Sequence, residues 1–255
     1  MSFMRFIICF LLFIVCLNPL FADNKANIPI LCYHNLNPTV PGSMSMTPAK
    51  FESQIKWIKD NGFTIVPLKE VVEYLKNERG SLPEKAVAIT VDDGWESVYR
   101  YMAPIIKKYN IPVTLFIYPE TISNGVHAMT WVQLKELQKN PLFDIQSHTY
   151  SHPNFKQEKR HLSLASYEKF VEKELVNSKK ILEQELGTKM TLLAWPFGIY
   201  DKYLEKKAAE AGYVMAFSID ARDANDNYPP MSEPRFMIVD GLSAKSFQAI
   251  VKSAR

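Results

Sequence analysis

The chain's pattern predicts an α/β fold whose parallel strands close into a barrel, and three observations lead there. Short apolar runs alternate with amphipathic stretches about eight times from Asn27 onward, the rhythm of strand-helix units that favours a barrel over an open sheet at this length. The runs are apolar almost throughout, as strands covered on both faces are. No stretch rich in Pro, Gly or Ser divides the 255 residues, so a single domain over 27–255 is expected.

The elements follow in order. "IPILCYH" reads as a buried strand and "TPAKFESQIKWIKDNG" as a helix. In that helix Thr47 is the N-cap, Pro48 sits in the first turn, Phe51, Ile55 and Ile58 form the apolar face, and Gly62 ends it. "FTIV" precedes the helical "LKEVVEYLKNERG", "AVAITV" precedes "ESVYRYMAPIIKKY", and "VTLFIY" precedes "TWVQLKELQKN". After "FDIQSH" comes a long helical stretch from Leu162 to Leu186, then "TLLAWPF", "DKYLEKKAAEAG" and "YVMAFSI". A last strand, "RFMIVD", leads into "SAKSFQAIVKSA". Met44 and Met46 in "PGSMSMTP" read as a loop plug.

The first segment differs in kind. Arg5, an apolar run from Phe6 to Leu17, Asn18-Pro19 and the small Ala22 have the layout of a secretory signal over residues 1–22. A retained membrane anchor is the alternative, although the run is short for a spanning helix. Cleavage would remove Cys9 and Cys16 and leave Cys32 alone, so no internal disulfide can form in the mature chain. An exported protein of the periplasm, cell envelope or medium is expected, monomeric and touching a membrane only through that segment. The formal net charge of +3 comes without a dense Lys/Arg run, which excludes a nucleic-acid groove.

"SHTYSHP" places His148 and His152 four residues apart in a chain with five histidines. Imidazole is the commonest metal ligand, and this spacing lets two of them face one point. "TVDDGW" ends an apolar strand with two adjacent carboxylates, a costly arrangement unless a cation or a proton separates their roles. An isolated pair of this kind would more simply cap a helix. Beside the histidines, Asp93, His148 and His152 make a three-ligand set with an open position, the catalytic rather than the structural arrangement, and Asp92 is left to act as general base. In parallel barrels such residues belong at the C-terminal ends of the strands. His34, Asp92, Asp93, His148 and the Trp195-Pro196-Phe197 run all fall there.

These blocks resemble the polysaccharide deacetylases that share the NodB homology domain, carbohydrate esterase family 4. "TVDDGW", "SHTYSHPNF" and "AWPFGIYD" carry the resemblance, with "PILCYHNL" and "VTLFIYP" as framework. The whole is closest in flavour to enzymes that de-N-acetylate poly-β-1,6-N-acetylglucosamine. The resemblance implies a distorted (β/α)7 barrel and a divalent metal, zinc before cobalt or nickel, held by Asp93, His148 and His152. It implies Asp92 as catalytic base, the metal as Lewis acid and source of the nucleophile, and the Phe197 backbone N–H as oxyanion donor. The partner is an N-acetylated polysaccharide, with peptidoglycan and chitooligosaccharides as alternative substrates.

The chain also departs from that family's pattern. Ala194-Trp195 stands where an Arg usually pairs with the base; Arg235 in "EPRFMIVDG" is the expected substitute, ahead of Arg222. No His follows His161, so the general acid is unassigned, with Asp240 near its expected position. That gap leaves a catalytically weak saccharide-binding protein as the reading outside enzymes. Trp95, Tyr150 and Trp195 are candidate platforms for sugar rings, His34 a candidate substrate contact, and His127 and His161 surface residues.

Overall fold

The computed structural model describes residues 26–39 and 42–255. The expected leader, residues 1–22 with Cys9 and Cys16, lies outside the described residues. Among those described, no helix is long and apolar enough to cross a membrane.

Strand β1 (Ile30–Tyr33) is followed by a parallel side pair, β2 (Asn35–Leu36) and β3 (Ser45–Met46). The pair replaces the expected loop plug: Met46 is buried within β3, whereas Met44 is exposed. Helix α1 (Pro48–Asp60) is built as its sequence directs, with the Thr47 side chain accepting from the Lys50 N–H and Phe51, Ile55 and Ile58 buried. Next come β4 (Thr64–Ile65), α2 (Leu68–Leu75) and the long β5 (Ala86–Asp93). A π-helical turn, Val98–Met102, runs into α3 (Ala103–Tyr109) and on to β6 (Val113–Ile117). Helix α4 (Trp131–Gln138) opens on a reciprocal Thr130–Gln133 capping box and leads to β7 (Phe143–Ser147).

Helix α5 (Phe155–His161) has no counterpart in the sequence reading, because Phe155 is its one buried residue and no apolar period marks it. The long helix expected over 162–186 is present as α6 (Leu164–Glu172), a π-helical turn at Lys173–Asn177, and α7 (Ser178–Leu186). Then follow β8 (Leu192–Ala194), α8 (Lys202–Glu210), β9 (Met215–Phe217), β10 (Phe236–Met237) and α9 (Ala244–Val251).

All ladders are parallel, in the order β10-β1-β5-β6-β7-β8-β9, with β4 beside the start of β5. One further bridge, Phe217 to Glu233, joins β9 to the segment entering β10, so the sheet curls round and meets itself. This is the distorted (β/α)7 barrel in a single domain. Side chains alternate across it. Leu31, Tyr33, Val87, Ile89, Val91, Leu115 and Ile145 pack outward on a core shared with Phe51, Ile55, Ile106, Leu134 and Leu182 of the helices. Ile30, Ala88, Phe116, Ala194 and Phe217 form a second core inside the curl. Cys32, Thr90 and Asp92 continue that inner row toward the C-terminal ends of their strands.

Candidate active site

Asp92 is the next-to-last residue of β5, 2% exposed, and points inward by strand alternation. A bare carboxylate there would be costly, and the fold surrounds it with donors. Arg235, fully buried, reaches it with both ends of its guanidinium: Nη1 to Oδ1 at 2.8 Å and Nη2 to Oδ2 at 2.7 Å. The Cys32 thiol donates to Oδ2 at 3.3 Å. Arg235 is itself fixed by the Ser218 carbonyl (3.0 Å), Thr90 Oγ1 (3.0 Å) and the face of Phe116 (5.2 Å). Arg235, the candidate partner of Asp92 in the sequence, thus lies against it. Arg222 lies elsewhere, in a cavity with Tyr200, Asp220 and Tyr228.

Alternation would send the next side chain, Asp93, to the outer face. Instead its backbone takes a left-handed φ of +78°, and Gly94 follows at +90°. Glycine suits that φ, and a Cβ at Gly94 would also sit tight against the Ile122 and Ile117 side chains, at 3.1 and 3.2 Å. The turn brings Asp93 Oδ1 to 3.5 Å from Nε2 of His148 and 3.5 Å from Nε2 of His152. Oδ1 is buried and accepts no hydrogen bond, while Oδ2 accepts from the Trp95 indole N–H at 2.9 Å.

A buried, unpartnered carboxylate oxygen facing two imidazole nitrogens is the arrangement a cation resolves. Ligands held ~2.1 Å from one ion at tetrahedral angles sit ~3.4 Å apart, so the donor set fits a divalent metal. His148, immediately after β7, has its other nitrogen bound to the Ala194 carbonyl at 2.8 Å, which turns Nε2 to the cluster. His152 sits in a left-handed conformation (φ +56°), its ring between those of Tyr118 and Phe197 at 5.3 and 4.7 Å. The loop carrying both histidines hangs on Glu174 of the second π-helical turn. Its buried carboxylate accepts from the N–H groups of Tyr150 (3.0 Å) and Ser151 (2.8 Å) and from Ser151 Oγ (2.7 Å).

The electrostatics separate the two aspartates. Burial alone would raise the Asp92 carboxyl, but the Arg235 charge, then His148, holds it well below the usual carboxylate range. For Asp93 burial is likewise overcome, by His148 first, and the value falls to about 2. His34 follows β1 at the rim, and burial lowers its imidazole below its ordinary value. One of its ring nitrogens lies within 4.8 Å of both Cys32 Sγ and an Asp92 oxygen, and its Nδ1 is buried without a partner.

Of the remaining expected residues, Phe197 is 55% exposed and has a left-handed φ of +56° at the second position of a short 3-10 turn, Pro196–Gly198. Such a helix start leaves its N–H outside the intrahelical pattern. Trp95 is half-buried and lines a 230 Å³ cavity with Asp93, Tyr118, Val126 and His127. His127 is exposed as expected and is also a wall of that cavity. Tyr150 is half-buried beneath Lys173, whose Nζ is 5.0 Å from its ring. Trp195 corrects the expectation of a sugar platform: it is fully buried, donates to the Met231 carbonyl at 2.8 Å and packs edge-on against Phe155, so it has no free face. Asp240 pairs with Lys50 at 3.5 Å. Glu174 and Tyr118 escaped the sequence reading, one within a helix and one at a strand end, with no motif to single them out.

Comparison with known proteins bears on the family and the fold. Residues 79–216, more than half of the chain, match the family model described as polysaccharide deacetylase. The poly-β-1,6-N-acetyl-D-glucosamine N-deacetylase of Staphylococcus aureus (strain MRSA252) is 29% identical over 212 residues, covering 82% of this chain and 71% of that protein. Among solved structures, the Streptococcus pyogenes deacetylase PplD, in complex with acetate, superposes with a TM-score of 0.78 at 25% identity, over 89% of this chain and 99% of that one. IcaB from Ammonifex degensii shares the fold, with a TM-score of 0.78 at 24% identity over 89% of this chain and 97% of its own. The chain therefore belongs to the polysaccharide deacetylase family, the carbohydrate esterase family 4 hydrolases of N-acetyl amide bonds.

Proposed function

We propose that this protein removes acetyl groups from N-acetylglucosamine units of an extracellular or envelope polysaccharide, poly-β-1,6-N-acetylglucosamine first among them. The observation that carries the reading is the division of labour between two adjacent aspartates, Asp92 locked to Arg235 and Asp93 open to two imidazoles. The named substrate of the Staphylococcus relative supports the choice of polymer. An N-terminal segment with the layout of a secretory signal supports export.

Enzymes of this family use a divalent metal, and Asp93, His148 and His152 would hold it here. When bound, such an ion supplies Lewis acidity to the amide carbonyl and acidifies water. The chain's own groups do the rest. Arg235 and Cys32 orient the Asp92 carboxylate so that it takes the proton of the attacking water. The water oxygen bonds to the carbonyl carbon, the carbon–nitrogen bond then breaks, and the same carboxyl returns the proton to the leaving amine. That route supplies a general acid in a chain with no His after His161. The Phe197 N–H donates to the developing oxyanion. Trp95, His34 and Tyr118 line the approach to the reacting amide.

The test is acetate release from poly-β-1,6-N-acetylglucosamine oligomers, with chitooligosaccharides and peptidoglycan fragments alongside. Release from the first, stopped by EDTA and restored by zinc, is the expected result. A metal-loaded protein that releases acetate from none of the three overturns the enzyme reading and leaves a saccharide-binding protein.

A further inference from the structure

We infer that Trp95 is a positioning residue for the metal: its indole N–H fixes the plane of the Asp93 carboxylate, so that one oxygen is held by the indole and the other faces the ion. The inference rests on reading Asp93, His148 and His152 as the metal site.

The two oxygens of Asp93 have opposite environments. Oδ2 accepts the Trp95 Nε1 hydrogen at 2.9 Å, whereas Oδ1 is buried, accepts nothing and faces both imidazoles. A quarter turn of the carboxylate about its Cβ–Cγ bond would break the indole bond, so that bond fixes the plane of the group. An indole N–H is donor only and cannot compete for the cation. A hydrogen bond to an ionised acceptor is also stronger than a neutral one.

Trp95 is itself held in place. Its backbone bridges Ala128, the neighbouring Glu96 N–H donates to the His127 carbonyl at 2.7 Å, and the Met129 N–H donates to Gly94 at 2.9 Å. The segment 127–129 thus grips the chain on both sides of the indole. This matters because the left-handed turn at Asp93 and Gly94 gives the carboxylate no support from the sheet face that its strand position would otherwise provide. Aromatic bulk is not the point at issue, since phenylalanine fills most of the same volume without the N–H.

The experiment measures zinc affinity of the full folded chain by competition with a chromophoric chelator, for wild type and Trp95→Phe. Loss of a partner that orients a ligand typically weakens metal binding 10–100-fold, so a weakening of about that size is expected. In parallel, the indole N–H spectrum of the uniformly 15N-labelled wild type is recorded with and without zinc. The chain has four tryptophans, and the Trp95 resonance, assigned by its loss in the variant or by single substitution of the other three, should move most. Unchanged zinc affinity in Trp95→Phe overturns the inference. So does a Trp95 resonance that stays still while zinc binds, a readout that survives even if the variant fails to fold. Absence of zinc binding by the wild type overturns the reading of the site itself, and with it the role of Trp95.

Discussion

Arg235 grips both oxygens of Asp92 at 2.8 and 2.7 Å, although 143 residues separate the two in the chain. The pair is sealed, 0% and 2% exposed, so its charges depend on each other. Replacing Arg235 with Ala strands a buried carboxylate, a change that costs ~3–5 kcal/mol in such pairs. Urea denaturation of Arg235→Ala should show a loss of that size. Arg235→Lys should recover only part of it, because an ammonium cannot make the two parallel bonds.

The aspartates should separate experimentally. Asp92→Asn is expected to abolish acetate release while zinc content, measured by elemental analysis, stays near that of the wild type. His148→Ala is expected to lose both. If Asp92→Asn bound no zinc, the assignment of base and ligand would be reversed or shared.

Glu174 is expected to control the histidine loop from outside it. Glu174→Ala leaves the N–H groups of Tyr150 and Ser151 without their acceptor, and each such loss costs ~1–3 kcal/mol when water cannot replace it. Both lower thermal stability and weaker zinc binding are expected, the second because those N–H groups lie between His148 and His152. Glu174→Gln, which keeps one acceptor oxygen, should fall between. Zinc affinity equal to wild type in Glu174→Ala would show that the loop holds its shape by itself.

Glu233 predicts a pH dependence of stability. It is 1% exposed, its Oε2 has no partner, and it sits at the closing bridge of the barrel, two residues before Arg235. Burial pushes its carboxyl up to about 8, with Asp226 adding to the push and the Asn225 N–H opposing it. Between its ordinary value of 4.5 and 8 the folded chain therefore keeps a proton that the unfolded chain releases. Stability must fall as pH rises through that window, by at most about 1.4 kcal/mol per pH unit from this group. Melting temperatures from pH 5 to 9 should fall less steeply for Glu233→Gln than for wild type. Parallel curves would show that Glu233 does not titrate this way.

Much of the fold was legible because local rules dictate it. Thr47, Pro48 and the Phe51-Ile55-Ile58 stripe specify α1 without help from the rest of the chain, and continuous apolar strands specify a sheet covered on both faces. The site's raw materials were legible for a similar reason: "TVDDGW" and "SHTYSHP" are compact, and strand ends are where a parallel barrel exposes functional groups. Other features needed the tertiary structure, because they depend on residues far apart in sequence or on backbone that leaves the regular pattern. Helix α5 buries one side chain and so carries no period. Asp93 reaches the inside only through a left-handed turn that strand alternation would not give. Trp195 stands beside the motif residues in sequence, yet packing against Phe155 and the Met231 carbonyl turns it into core. Glu174 lies 22 residues beyond His152, and only the folding of a π-helical turn beneath the loop makes it an acceptor there. Residue order alone made the candidate chemistry legible, as two compact motifs at strand ends. How the rings and carboxylates turn toward the site came from folding, because those orientations are set by contacts that close only when the barrel does.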